Sequence, residues 1–194
     1  VCTDQLFSAL AERKGEMALY LIEKGCSETK AVSFADTALT RAIKAGLTDV
    51  ALVLLQRNLY SMYQLRQSLI AAAQVGALMV AQVLLPLYET NFHPLEDLLG
   101  ASEFLQAACK NNSDSSKPFI EFLLAEGCPL DMYGSEGLKT ACQHGNMVAI
   151  EALVGAGASV SEVAADEEVV SLVAQVDNWR VLRYLIDNSP AEVF

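Results

Sequence analysis

One spacing of apolar side chains recurs six times along this chain, and it restricts the possible folds more than any other feature. The clearest copy has Leu39, Ala42 and Ile43 before Gly46, then Val50, Ala51, Leu54 and Leu55 after it. Counted from Gly46 as a turn marker, apolar residues fall seven, four and three places before it and four, five, eight and nine places after it. The same template fits around Arg13 (Leu6, Ala9, Leu10; Met17, Ala18, Leu21, Ile22), Gly76 (Leu69, Ala72, Ala73; Val80, Ala81, Leu84, Leu85) and Gly145 (Leu138, Ala141, Cys142; Ala149, Ile150, Leu153, Val154). It fits again around Asp177 (Val170, Val173, Ala174; Val181, Leu182, Leu185, Ile186). In the remaining copy Phe104, Ala107 and Ala108 count from Asn111, whereas Phe119, Ile120, Leu123 and Leu124 count from Ser115, so four extra residues sit in the polar turn 111–116, where an insertion costs little. Seven positions in six copies make 42 sites, all of them apolar, although a composition 53% apolar would fill roughly 22 by chance.

Spacings of three and four place each half of the template on one face of a helix. The turn between the halves is too short for anything but an antiparallel pair. Alanine recurs four places before the marker (Ala9, Ala42, Ala72, Ala107, Ala141, with Val173 the exception), which lets the two helices approach closely. Twelve places after the marker, Gly25, Asn58, Gly127 and Gly157 supply residues that tolerate the left-handed conformation in which helices end. One such pair cannot bury its own apolar stripe, so neighbours must stack in a row. The expected fold is therefore all-α: a helical repeat solenoid of about six helix-turn-helix units, forming a single domain over 1–194 with repeats near 3–33, 36–65, 66–100, 101–134, 135–166 and 167–194.

Leu138, Ala141-Cys142, Gly145, Leu153-Val154 and Gly157-Ala158 resemble the ankyrin repeat, with Leu39, Ala42, Gly46 and Leu54-Leu55 the next most similar copy. The resemblance runs from residue 6 to about 187. Departures are clear. No copy has the family's threonine-proline start, Thr37-Ala38-Leu39 being the nearest, and Thr40, Ile70, Leu105 and Lys139 stand where its histidine would. A solenoid of the HEAT or armadillo kind is the other option, although those repeats are nearer 40 residues or longer. The link 86–102, with Pro86, Pro94 and a possible extra turn over Leu95–Leu99, is expected to be irregular.

The resemblance implies protein binding in the concave groove of the first helices, with no catalytic residues and no cofactor. The expected function is thus a non-catalytic interaction scaffold; the alternative is a structural subunit or rigid spacer within a larger protein or assembly. A net charge of −11, from 24 acidic and 13 basic side chains, repels phosphate backbones and anionic membranes and favours a partner with a basic patch, or neighbouring domains of the same chain. Neither nucleic acid nor membrane insertion is expected. The start at Val1, without a charged-then-apolar leader, suggests a domain cut from a longer protein. Cysteines 2, 26, 109, 128 and 142 are odd in number and form no C-x-x-C pair, which suggests reduced, buried thiols and an intracellular, cytoplasmic setting. His93 and His144, with these scattered cysteines, match no metal-ligand spacing.

Two groups of residues are candidates for partner binding. On the outer face of the first helices, Arg41, Lys44, Gln74, Gln106, Lys110, Lys139 and Gln143 form a polar strip, either a groove or plain solvated surface. In the links, Tyr60, Met62 and Tyr63, then Phe92, then Met132 and Tyr133, have no core position in the template. They either cover the seams between repeats or form an interface.

Overall fold

A computed structural model describes residues 2–26, 36–57, 60–92, 102–175 and 178–189, the side chains of 91 and 92 excepted. Asn58, His93, Pro94, the segment 95–99 and Asp177 lie outside these residues, as does the side chain of Phe92. The described residues are helical and contain no strand, as the spacing requires. None of their helices is long and apolar enough to cross a membrane.

The chain divides into two compact units, 1–94 and 95–194. The first holds α1 (Cys2–Ala11), α2 (Gly15–Glu23), α3 (Ala38–Lys44), α4 (Thr48–Arg57), α5 (Met62–Val75) and α6 (Leu78–Phe92). Each odd-numbered helix packs on the even one that follows it. Across copies, α1 meets α3 and α3 meets α5, while α2 meets α4 and α4 meets α6. Helix pairs therefore stack in chain order, first helix beside first helix and second beside second.

The second unit holds α7 (Ser102–Lys110), α8 (Ser116–Ala125), α9 (Leu130–His144), α10 (Met147–Gly155), α11 (Val160–Ala164), α12 (Glu167–Gln175) and α13 (Trp179–Asp187). Here α7–α8, α9–α10 and α12–α13 are the pairs, with α7 against α9, α9 against α12, and α8 against α10. The short α11 is an addition to the template. It packs on α9, α12 and α13 and is capped by Ser159, whose hydroxyl accepts from the Glu162 N–H.

The turn markers carry the geometry. Arg13, Gly46, Gly76 and Gly145 all have positive φ, as do Gly25, Gly127 and Gly157 at the ends of second helices. At Gly46 the reason is visible: its N–H donates to the Ile43 carbonyl and that of Leu47 to the Ala42 carbonyl, closing α3 through a left-handed residue. Arg13, at φ 55°, is the only described residue other than glycine in this region, and its Cβ costs about 1–2 kcal/mol there.

Of the 42 template sites all are buried except Met17, Leu21, Leu124, Val154, Val170, Ala174, Leu182 and Ile186. In the last copy the buried residue is Val169 rather than Val170, because α12 starts from a cap on Asp166, whose carboxylate accepts from the Glu168 and Val169 N–H groups.

Three expectations need correction. Met62, Tyr63, Met132 and Tyr133 are not in links but in the first turns of α5 and α9. For α5 the cause is a capping box: Ser61 accepts from the Gln64 N–H, and the Gln64 side chain accepts from the Ser61 N–H. Next, Pro86 does not end its helix; α6 runs through it to Phe92, with the Thr90 hydroxyl donating to the Pro86 carbonyl at 2.7 Å. Finally, Cys2 and Cys26 form a disulfide, their Cα atoms 5.5 Å apart, so five free thiols is wrong for this pair. The antiparallel α1–α2 pair brings the end of one helix beside the start of the other, and the left-handed Gly25 turns Cys26 back to meet Cys2. Cys109, Cys128 and Cys142 are free and buried, as expected.

Candidate functional site

Within each unit first helix packs on first helix, and the residues of the expected polar strip lie on these helices. On α3, Arg41 and Lys44 stand one turn apart, and Gln74 is on α5; Gln106 and Lys110 share a face of α7, and Lys139 and Gln143 a face of α9. These seven residues do not share one role.

Arg41 is a bolt between copies. Its guanidinium makes a bidentate pair with Asp36, at 2.8 and 2.5 Å, and lies 4.6 Å over the Phe7 ring of α1. The hydrogen bonds to Arg41 hold the Asp36 carboxyl below its ordinary range, and the same pair raises Arg41. Lys139 does similar work. Its ammonium lies 2.9 Å from Asp166, the residue that caps α12, and 3.6 Å from Glu136. Asp166 is held low first by its hydrogen bond to Lys139 and then by the Val169 N–H. Gln106 donates to the Ser102 hydroxyl at 3.2 Å. Lys44, Gln74 and Lys110 are exposed, and Gln143 is half-buried.

The aromatic and methionine group divides as well. Tyr60 is half-buried and donates its hydroxyl to the Leu54 carbonyl of α4 at 3.3 Å, so it covers the α4–α5 seam. Tyr133 is half-buried. Met62 and Tyr63 are about half exposed, and Met132 is 65% exposed, each at the entry of a first helix. His144 closes α9 at the surface, with Nδ1 2.9 Å from the Thr140 carbonyl.

Two polar groups have roles that composition and spacing leave unassigned. Thr37 and Thr40 cap α3 together: each hydroxyl accepts from the other residue's N–H, and the two oxygens lie 2.7 Å apart. Thr40 thus supports the start of its helix. Asn146 is fully buried. Its Oδ1 accepts from the Ala149 N–H and caps α10, while its Nδ2 donates to the carbonyls of Cys109 at 3.0 Å and Asn111 at 2.8 Å in the preceding copy. An asparagine directly before a helix is a legible cap signal; the reach across copies is not.

Burial pushes the thiols of Cys109 and Cys142 up to about 12 and that of Cys128 to about 11, which keeps all three protonated and unreactive at neutral pH. Among the described residues no group of three or more His, Cys, Asp or Glu side chains is placed to hold a metal ion.

Compared with family models, curated proteins and solved structures, the chain matches none.

Proposed function

We propose that this chain is a protein-interaction scaffold built from diverged ankyrin-type repeats, and that it holds its partner along the outer edges of the first helices. The observation that supports this reading is the packing of first helix on first helix within each unit, which leaves Lys44 and Gln74 on neighbouring helices of the first unit and Lys110 and Gln143 on neighbouring helices of the second. Arg41 and Lys139 act beneath these strips, bracing neighbouring helices. Met62 and Tyr63 beside the first strip, and Met132 beside the second, supply the large exposed side chains that interface centres favour.

The test compares four like substitutions. Gln74→Arg and Gln143→Arg place positive charge on the strips, whereas Gln56→Arg on α4 and Gln82→Arg on α6 place it on exposed second-helix positions. With a partner captured on the immobilised chain, the first two are expected to weaken binding about tenfold, ~1.4 kcal/mol, and the second two to leave it unchanged. Equal losses from both sets would remove the strip as the binding surface.

A further inference from the structure

Cys2 and Cys26 are bonded, while Cys109, Cys128 and Cys142 are free and buried. The bond spans 24 positions and ties the start of α1 to the turn that follows α2. Its two ends differ. Cys2 is exposed, whereas Cys26 is buried directly after the left-handed Gly25.

The backbone at Cys26 is held by α2 itself. The Gly25 N–H donates to the Ile22 carbonyl and the Cys26 N–H to the Leu21 carbonyl, each at 3.0 Å. The same two bonds recur after α8, from Gly127 to Leu124 and from Cys128 to Leu123, and after α10, from Gly157 to Val154 and from Ala158 to Leu153. Thirteen places after the marker, Cys26, Cys128 and Ala158 thus fill one kind of seat. Cys128 is a free thiol there and Ala158 has no sulfur, so the seat closes a helix pair without a disulfide. At Cys26 the bond adds a constraint to a turn that is already made. What it constrains is the first turn of α1. From Cys2 to Gln5 the residues are exposed or half-buried, and burial begins at Leu6. Leu6, Phe7, Ala9 and Leu10 are anchored in the core, where α1 packs on α2 and α3.

We propose that the Cys2–Cys26 bond is a redox switch, opened and reclosed by dithiols, that locks or releases the first turn of α1 while the rest of the helix pair stays folded. Opening starts at the exposed end. A thiolate of the dithiol attacks Sγ of Cys2, the S–S bond breaks, and Sγ of Cys26 leaves as a thiolate that takes up a proton. The second thiol of the reductant gives up its proton and attacks the reductant's sulfur in the mixed disulfide. That step closes the reductant's own disulfide and releases Cys2, which takes up a proton in turn. Two electrons pass from the dithiol to the protein, and a disulfide of the same class reverses each step. The three other thiols are buried and held protonated, which keeps them out of the exchange. Gln5 of the released turn lines a groove of about 350 Å³ with Met17, Tyr20 and Leu21 of α2, so the switch alters the shape of that groove. The inference is independent of the partner site proposed on the first helices, and either can fail without the other.

The test follows the 194-residue chain before and after dithiothreitol, without denaturant. Alkylation and peptide mass spectrometry are expected to find Cys2 and Cys26 labelled only after reduction, and Cys109, Cys128 and Cys142 unlabelled throughout. Hydrogen exchange reads the released turn, because in a helix the amides of Leu6, Phe7 and Ser8 bond to the carbonyls of Cys2, Thr3 and Asp4. On reduction these amides are expected to exchange about a hundredfold faster. Those of α3 and α4 are expected to stay slow, and far-UV circular dichroism to stay nearly constant. Oxidised dithiothreitol is expected to restore the slow exchange. Cys2→Ser and Cys26→Ala, the latter copying the seat of Ala158, are each expected to show fast exchange without reductant and no response to it. A bond that dithiothreitol leaves closed in the native chain, exchange in α1 unchanged by reduction, loss of helix throughout the chain on reduction, or a Cys2→Ser variant that still responds would each overturn the proposal.

Discussion

Replacing Asn146 with alanine tests the account of how neighbouring copies are tied together. Three hydrogen bonds depend on that one fully buried amide: the cap on α10 through the Ala149 N–H, and the two donations to the carbonyls of Cys109 and Asn111. Loss of an asparagine cap costs about 1 kcal/mol. Losing the Asn146 donor at the fully buried Cys109 carbonyl adds about 1–2 kcal/mol, and less at the half-buried Asn111 carbonyl, which keeps the Ser113 N–H. The expected total is about 2–4 kcal/mol, read as a lower urea midpoint with an unchanged slope. Asn146→Asp separates the parts. It keeps an acceptor for the cap but turns an oxygen toward two carbonyl oxygens and buries a charge, so it is expected to be at least as damaging as alanine. Asn146→Ser keeps the cap alone and is expected to lie between wild type and alanine. An alanine variant within about 0.5 kcal/mol of wild type, the scatter of an ordinary surface change, or an aspartate variant as stable as wild type, would refute the tie.

Two glycines in the same copy are expected to respond with opposite signs. Gly145→Ala forces a Cβ into a left-handed residue and against the Asn178 amide, and should lower stability by more than about 1 kcal/mol; Gly155→Ala, at the open end of α10, should raise it by about 0.4–1 kcal/mol, both read from thermal melts. The Asp36–Arg41 pair predicts a pH dependence. Because Asp36 is depressed below its ordinary 3.8 in the folded chain, its contribution is full above that value and disappears as pH falls through the folded value. The stability gap between wild type and Asp36→Asn should therefore be constant at neutral pH and close in acid, and a gap that widened on acidification would contradict the pairing. Thiol titration checks the cysteines: the native chain should show no fast-reacting thiol, the denatured chain three, and the denatured and reduced chain five.

The periodic core is the part of this fold that a reader can extract from residue order alone. Alternating gaps of three and four specify which side of each helix is greasy, and glycine at 46, 76 and 145 specifies where the direction reverses. What lies across from a greasy side is another matter. Met17, Ala174 and Ile186, in the first and last copies, obey the template as well as Leu54 does, and they are exposed. Helix length is also hidden, since it depends on caps and local turns: Met62 and Tyr63 become helical through Ser61 and Gln64, and Pro86 is tolerated within α6. The polar strip shows the same limit. Spacing puts Arg41 with Lys44 and Lys139 with Gln143, but whether a cation is free or committed is decided by Asp36 and Asp166, which enter from outside its helix. The Cys2–Cys26 bond likewise follows from two helix ends meeting, which an odd count of cysteines conceals.

The polar turn 111–115 offers a practical opening. Its oxygens and amides satisfy one another, with the Ser113 hydroxyl on the Asn111 side chain at 2.8 Å and the Asn111 amide on the Ser115 hydroxyl at 3.1 Å. The Asn146 clasp grips the chain at Cys109 and Asn111, where it leaves α7, upstream of the exposed Asn112 and Ser113. Extra length has already been accommodated at this tip without disturbing the helices on either side, so a foreign epitope or a fluorescent label grafted between Asn112 and Ser113 would be carried as a pendant, outside the packed register.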